Sequence, residues 1–120
     1  MKNILWYSRH EMTQDQLDDL RRIYGEVQVK KMDGTVKSWR EIAEAGEDCD
    51  VLAVVLPQAI LADLVNPHNN QKPVIRAIAN RVETGKMIIN PATNKEEVEY
   101  KFQHAGWEKI IKIEVVTELL

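Results

Sequence analysis

Cysteine is almost missing from this chain: Cys49 is the one thiol among 120 residues. That excludes an internal disulfide and any cysteine-rich zinc site. Standing beside the apolar run "VLAVVLP", with no credible base nearby, Cys49 reads as a small buried side chain rather than a nucleophile. His10, His68 and His104 show neither ligand spacing nor a companion cluster of carboxylates, so no metal site is expected. The glycine signatures of nucleotide enzymes are absent, both GxGxxG and the Walker lysine loop, and so is the GxSxG elbow. Positive charge is not in excess: 16 Lys and Arg against 19 Asp and Glu leave a net charge of −3. That argues against broad nucleic-acid binding, which needs a basic surface, but leaves room for a local pocket holding a small anion. No apolar run is long enough to cross a membrane, and one lysine before a short apolar run does not make a signal peptide. The expectation is a cytoplasmic protein with no membrane partner.

What is present has the rhythm of an α/β domain. Ile4–Tyr7 is a short apolar run, as in a strand buried on both faces. "MTQDQL" follows, in which Thr13 and Gln16 have the spacing of a capping box and Met12 and Leu17 that of a hydrophobic staple. Leu17, Leu20 and Tyr24 recur at helical spacing, and Gly25 ends the helix. Val27 and Val29 alternate with polar residues in a second strand, which turns at Asp33-Gly34. Ser38 and Glu41 read as a second capping box, opening a helix that runs to Gly46. "DVLAVVLP" is the clearest central strand, "QAILADLV" a short helix stopped by Pro67, and "PVIRAIAN" a fourth strand ending at Asn80-Arg81. Beyond it, "EVEYKFQ" alternates strictly, "HAG" has the composition of a hairpin turn, and the β-branched Ile110–Thr117 favours a strand over a terminal helix. With no repeat or linker, residues 1–120 form one Rossmann-like three-layer domain. Its sheet is mainly parallel, with a C-terminal antiparallel strand pair.

In open α/β sheets ligands gather at the carboxyl ends of the strands. Ser8, Arg9 and His10 sit at that end of strand one, directly before the helix opened by Thr13 and Gln16. Gln58 follows strand three, and Asn80 and Arg81 end strand four. Together these residues offer hydrogen-bond donors for phosphate and for hydroxyl or base edges. No cofactor is implied; the inventory suits a reaction needing only positioning and proton transfer. A purely structural alternative has Ser8 and His10 capping the strand exit and Arg9 pairing with Glu11 or Asp15.

Two resemblances bear on the chemistry. Arg9-His10 is similar to the strand-end "RHG" of the histidine phosphatases, with Glu11 in place of the glycine. In that family the histidine is phosphorylated and the arginine clamps phosphate. The longer "YSRHEMTQDQL", Tyr7–Leu17, resembles the opening of small CRISPR-associated ring nucleases and their CARF-like relatives, and Tyr100–Ile110 resembles the aromatic-x-x-His segment near their end. That resemblance implies a homodimer active in antiviral defence. It binds a cyclic oligoadenylate, a small nucleotide ligand, across its two-fold axis and cleaves it without metal by 2′-hydroxyl attack. Ser8 and Thr13 would then hold phosphate, Arg9 would stabilise the developing charge, and His10 would carry the proton. Gln58, Asn80 and Arg81 would contact ribose or base, and His104 would be a second proton carrier. A non-catalytic sensor or sponge, or an accessory protein with no ligand, would share the same shape.

Overall fold

The computed structural model describes residues 1–120. Five strands and three helices alternate along the chain: β1 (Lys2–Tyr7), α1 (Gln14–Tyr24), β2 (Val27–Met32), α2 (Trp39–Ala45), β3 (Val51–Val54), α3 (Gln58–Leu64), β4 (Val74–Asn90) and β5 (Lys95–Lys109). The sheet order is β2-β1-β3-β4-β5, parallel throughout except for the antiparallel β4–β5 pair. This is the Rossmann-like α/β arrangement expected, with the antiparallel pair at its C-terminal edge. No helix is long and apolar enough to cross a membrane.

β1 and β3 lie at the centre and carry the apolar runs that a doubly covered strand requires: Ile4–Tyr7 and Val51–Val54 are all buried. Their side chains alternate between two clusters. Ile4, Trp6, Val51 and Ala53 face α1 through Leu20, while Leu5, Tyr7, Leu52 and Val54 face α2 and α3 through Ile42, Leu61 and Leu64. Helix α1 starts on a true capping box: the Thr13 hydroxyl accepts from the Gln16 amide and the Gln16 side chain accepts from the Thr13 amide. The second box differs from expectation. Ser38 accepts from the Arg40 amide, and Glu41 reaches past Ser38 to accept from the Lys37 amide instead. Cys49 is buried in the α2–α3 cluster, where desolvation pushes its thiol pKa up.

The last third departs furthest from the reading of the sequence. β4 does not stop at Asn80-Arg81 but runs to Asn90, and "KMIIN" is its outer end. The reversal comes at Pro91–Asn94, with Asn94 at φ 55, and "HAG" lies inside β5. There Ala105 is an extra residue between the His104–Ala79 and Gly106–Ile78 pairs, a bulge that Gly106 permits at φ 147. A second irregularity, at Glu83–Met87, contains Gly85 at φ 83. Only Val74 and Ile75 of β4 pair with β3; the rest of β4 pairs with β5 alone. The result is a two-stranded arm projecting past the carboxyl ends of the parallel strands. It raises the radius of gyration to 17.5 Å, against about 14 Å for a compact chain of this length. Ile110–Leu120 forms neither strand nor helix, although the Ile110 amide donates to the Val74 carbonyl and Ile113 packs on the core.

Candidate functional site

The end of β1 is held by its backbone, which frees its side chains. The Ser8 amide donates to the Met32 carbonyl of β2 and the Val55 amide to the Tyr7 carbonyl, so the exit from the strand is fixed on both sides. The His10 amide then donates to Ser8 Oγ (3.1 Å), and the Trp6 indole donates to the His10 carbonyl (2.8 Å). Ser8 is only 3% exposed. With its main chain anchored twice, His10 presents an exposed imidazole.

Arg9 is exposed and makes no ion pair. The structural alternative of a pair with Glu11 does not hold, because Glu11 binds Lys31 of β2 at 2.9 Å. Two cavities flank this strand end. One, of about 320 Å³, is lined by Ser8, Arg9 and His10 together with Gly34 and Thr35 after β2 and Leu56 and Pro57 after β3. The other, of about 450 Å³, shares Ser8 and His10 and adds Thr13, Gln16 and Arg76. Both open at the carboxyl ends of β1 and β3, where the chain crosses from one sheet direction to the other. Their size suits a small ligand.

Five expected residues line the two cavities: Ser8 and His10 both of them, Arg9 the first, and Thr13 and Gln16 the second. Thr13 and Gln16 serve each other in the capping box, and Asp15 in the same turn adds negative charge, which leaves Arg9 as the cationic side chain without an ion-pair partner at this edge. Gln58 opens α3 just beyond the Pro57 wall without lining either cavity. Asn80 and Arg81 ride out on the arm, where the Arg81 guanidinium stacks 3.7 Å from the Tyr100 ring centroid. Thr35 joins the first cavity and Arg76 the second; no motif in the sequence marks Thr35, and Arg76, mid-strand, is left open there between a ligand contact and an edge or subunit contact. Thr35 lies just past the β2 end, where the strand-end rule points; Arg76 pairs with Glu108.

His104 lies elsewhere, in the crease between α1 and β5. Its Nε2 is 2.9 Å from Asp19 Oδ2, its side chain is 9% exposed, and its Nδ1 is buried without a partner. The bond from His104, followed by that from Arg22, lowers the Asp19 pKa below its ordinary value. Trp107 lies beside it, donating to the Gln16 carbonyl and meeting Trp6 edge to face at 5.8 Å. This cluster fastens β5 to α1; neither His104 nor Trp107 lines a cavity, although Trp6 and Gln16, which Trp107 touches, line the second. His68 lies in the loop after α3, where its amide donates to Asn66. No family model matches the chain, and no curated protein or solved structure matches it.

Proposed function

We propose that the Ser8–Arg9–His10 edge binds a phosphate of a cyclic oligoadenylate-type nucleotide and cleaves it without metal. The observation that carries this reading is the unpaired Arg9 guanidinium, which lines the same cavity as Ser8 and His10. A guanidinium not engaged by internal carboxylates can donate to two phosphate oxygens at once. Cleavage needs no further reagent. The ribose 2′-oxygen attacks the adjacent phosphorus, the bond from phosphorus to O5′ breaks, the 2′-hydroxyl proton leaves to a base, and O5′ takes a proton. The products carry a 2′,3′-cyclic phosphate and a 5′-hydroxyl. Arg9 stabilises the charge on the pentavalent phosphorus, Ser8 donates to a phosphate oxygen, and the exposed His10 imidazole exchanges the proton. The chain acts as a cytoplasmic homodimer.

The test is a thermal melt against linear and cyclic oligoadenylates, with each sample then separated by chromatography. A ligand at a hundredfold excess over its Kd adds about 2.7 kcal/mol, roughly 10 °C for a domain of this size. Arg9→Ala is expected to abolish the shift, and His10→Ala to keep the shift while losing linear product. Stabilisation with the ring left intact by the wild type would make the protein a sensor or sponge. No shift with any member would refute the nucleotide reading.

A further inference from the structure

The arm ends the sheet with an unused edge. β5 is the terminal strand, its inner side is paired with β4 from Lys95 to Lys109, and none of its backbone groups bonds to any other main chain. The opposite terminal strand, β2, is six residues long and carries two consecutive lysines, the usual way of blunting an edge. β5 is 15 residues long, and its middle, Val98–Phe102, holds a single lysine. Directly paired residues share a face of a strand pair, so Arg81, Tyr100, Phe102, Met87 and Val98 lie on the α1 side of the arm. α1 covers that side only near His104 and Trp107. Beyond them, Met87 is 56% and Phe102 79% exposed.

We propose that this edge pairs with the β5 edge of a second copy, antiparallel, about a two-fold axis through Tyr100. The sequence of β5 is self-complementary in that register. Tyr100 meets its own counterpart, Val98 meets Phe102 of the second copy, and Glu99 meets Lys101 of the second copy. Each hetero-pair occurs twice by symmetry. The apolar pairs fall on the α1 side and extend the stripe that Met87 begins; the ion pairs fall on the other side. Moving the axis one residue either way sets Glu99 against Glu99 or Lys101 against Lys101 and loses the Glu99–Lys101 pairs, and moving it by two either way, to Val98 or Phe102, breaks the Val98–Phe102 match. The joined product is one continuous ten-stranded sheet with both open β5 edges consumed.

Antiparallel pairing inverts the second sheet, so the carboxyl ends of its parallel strands point the opposite way. The two Ser8–Arg9–His10 edges therefore serve separate ligands, unlike the ring-straddling dimer that the family resemblance implies. The interface does not depend on the nucleotide reading and is tested without ligand.

The experiment is light scattering on the purified chain across a concentration series. The wild type is expected at twice 13.8 kDa. Glu99→Lys and Lys101→Glu each set like charges opposite one another and should raise the dissociation constant about tenfold or more. Mixing the two single variants restores opposite charges in a heterodimer, and the double variant restores them in a homodimer. Because Glu99 also accepts from Thr84 Oγ1 inside one copy, Thr84→Val is the control and should remain dimeric. A monomeric wild type overturns the proposal. So do single variants that dimerise like the wild type, or folded single variants that stay monomeric when mixed.

Discussion

The two ends of this sheet obey different physics. In the body, β1 and β3 are covered on both faces, and the four residues of β3 are buried without exception. In the arm, the outer halves of β4 and β5 have only each other, and Met87, Ile88, Ile89, Tyr100 and Phe102 stand exposed. Burial, not hydrogen bonding, is what separates them, since the ladder continues through both. The contrast teaches that one sheet can be fully covered at its centre and continue, on hydrogen bonds alone, into an exposed margin. Between them sits one fastening, His104 and Trp107 against α1.

The largest effect is expected in the body. Leu52 is fully buried, and Leu52→Ala should cost about 3–4 kcal/mol in urea unfolding, from lost burial and an unfilled cavity. A loss below about 1 kcal/mol would show that the body is not the cooperative core. At the fastening, His104→Ala removes a bond to a charged group and should cost about 2 kcal/mol. The pH dependence sharpens this. Asp19 is held below its ordinary value of 3.8, so its pair stabilises the fold above that pH and is lost as acid takes the carboxylate through its lowered folded value. Hydrogen exchange should show β5 amides near His104 opening in that range while β3 amides stay protected, with the difference absent in His104→Ala. The smallest effect belongs to the arm tip. Ile89 is 63% exposed, and Ile89→Ala should change stability by about 0.5 kcal/mol or less.

The same contrast decides what the sequence made legible. In the body each element announced itself, because burial imposes unbroken apolar runs on β1 and β3 and a 3.6-residue stripe on α1, closed by Thr13 and Gly25. The strand-end rule then located Ser8, Arg9 and His10. In the arm no core enforces period-two alternation, and Gly85 and Gly106, which make bulges, have the same composition as turns. The composition of "HAG" therefore suggests a hairpin between "EVEYKFQ" and Ile110–Thr117, whereas it lies inside β5 and the chain reverses at Pro91–Asn94. The β-branched content of Ile110–Thr117 favours a strand, but β4 already pairs with β5 along its length and leaves those residues no partner. His104 stands out by its neighbours, yet its partner Asp19 lies 85 residues away and no local pattern links them.

The bulge at Ala105 acts as a phase setter for everything distal to it. His104 and Trp107 are an odd number of positions apart and in a regular strand would point to opposite faces; the one extra residue turns both toward α1. Counting outward from Trp107, the same offset decides which side of the arm shows Phe102, Tyr100 and Val98. Pairing the same residues without the bulge would roll the arm over, presenting Lys101 and Gln103 where the aromatic stripe had been, whereas deleting Ala105 would leave a regular strand with the stripe in place. A reading-frame-like parity, kept by leaving a single alanine out of the pairing, thus sets which face the protein offers to its surroundings.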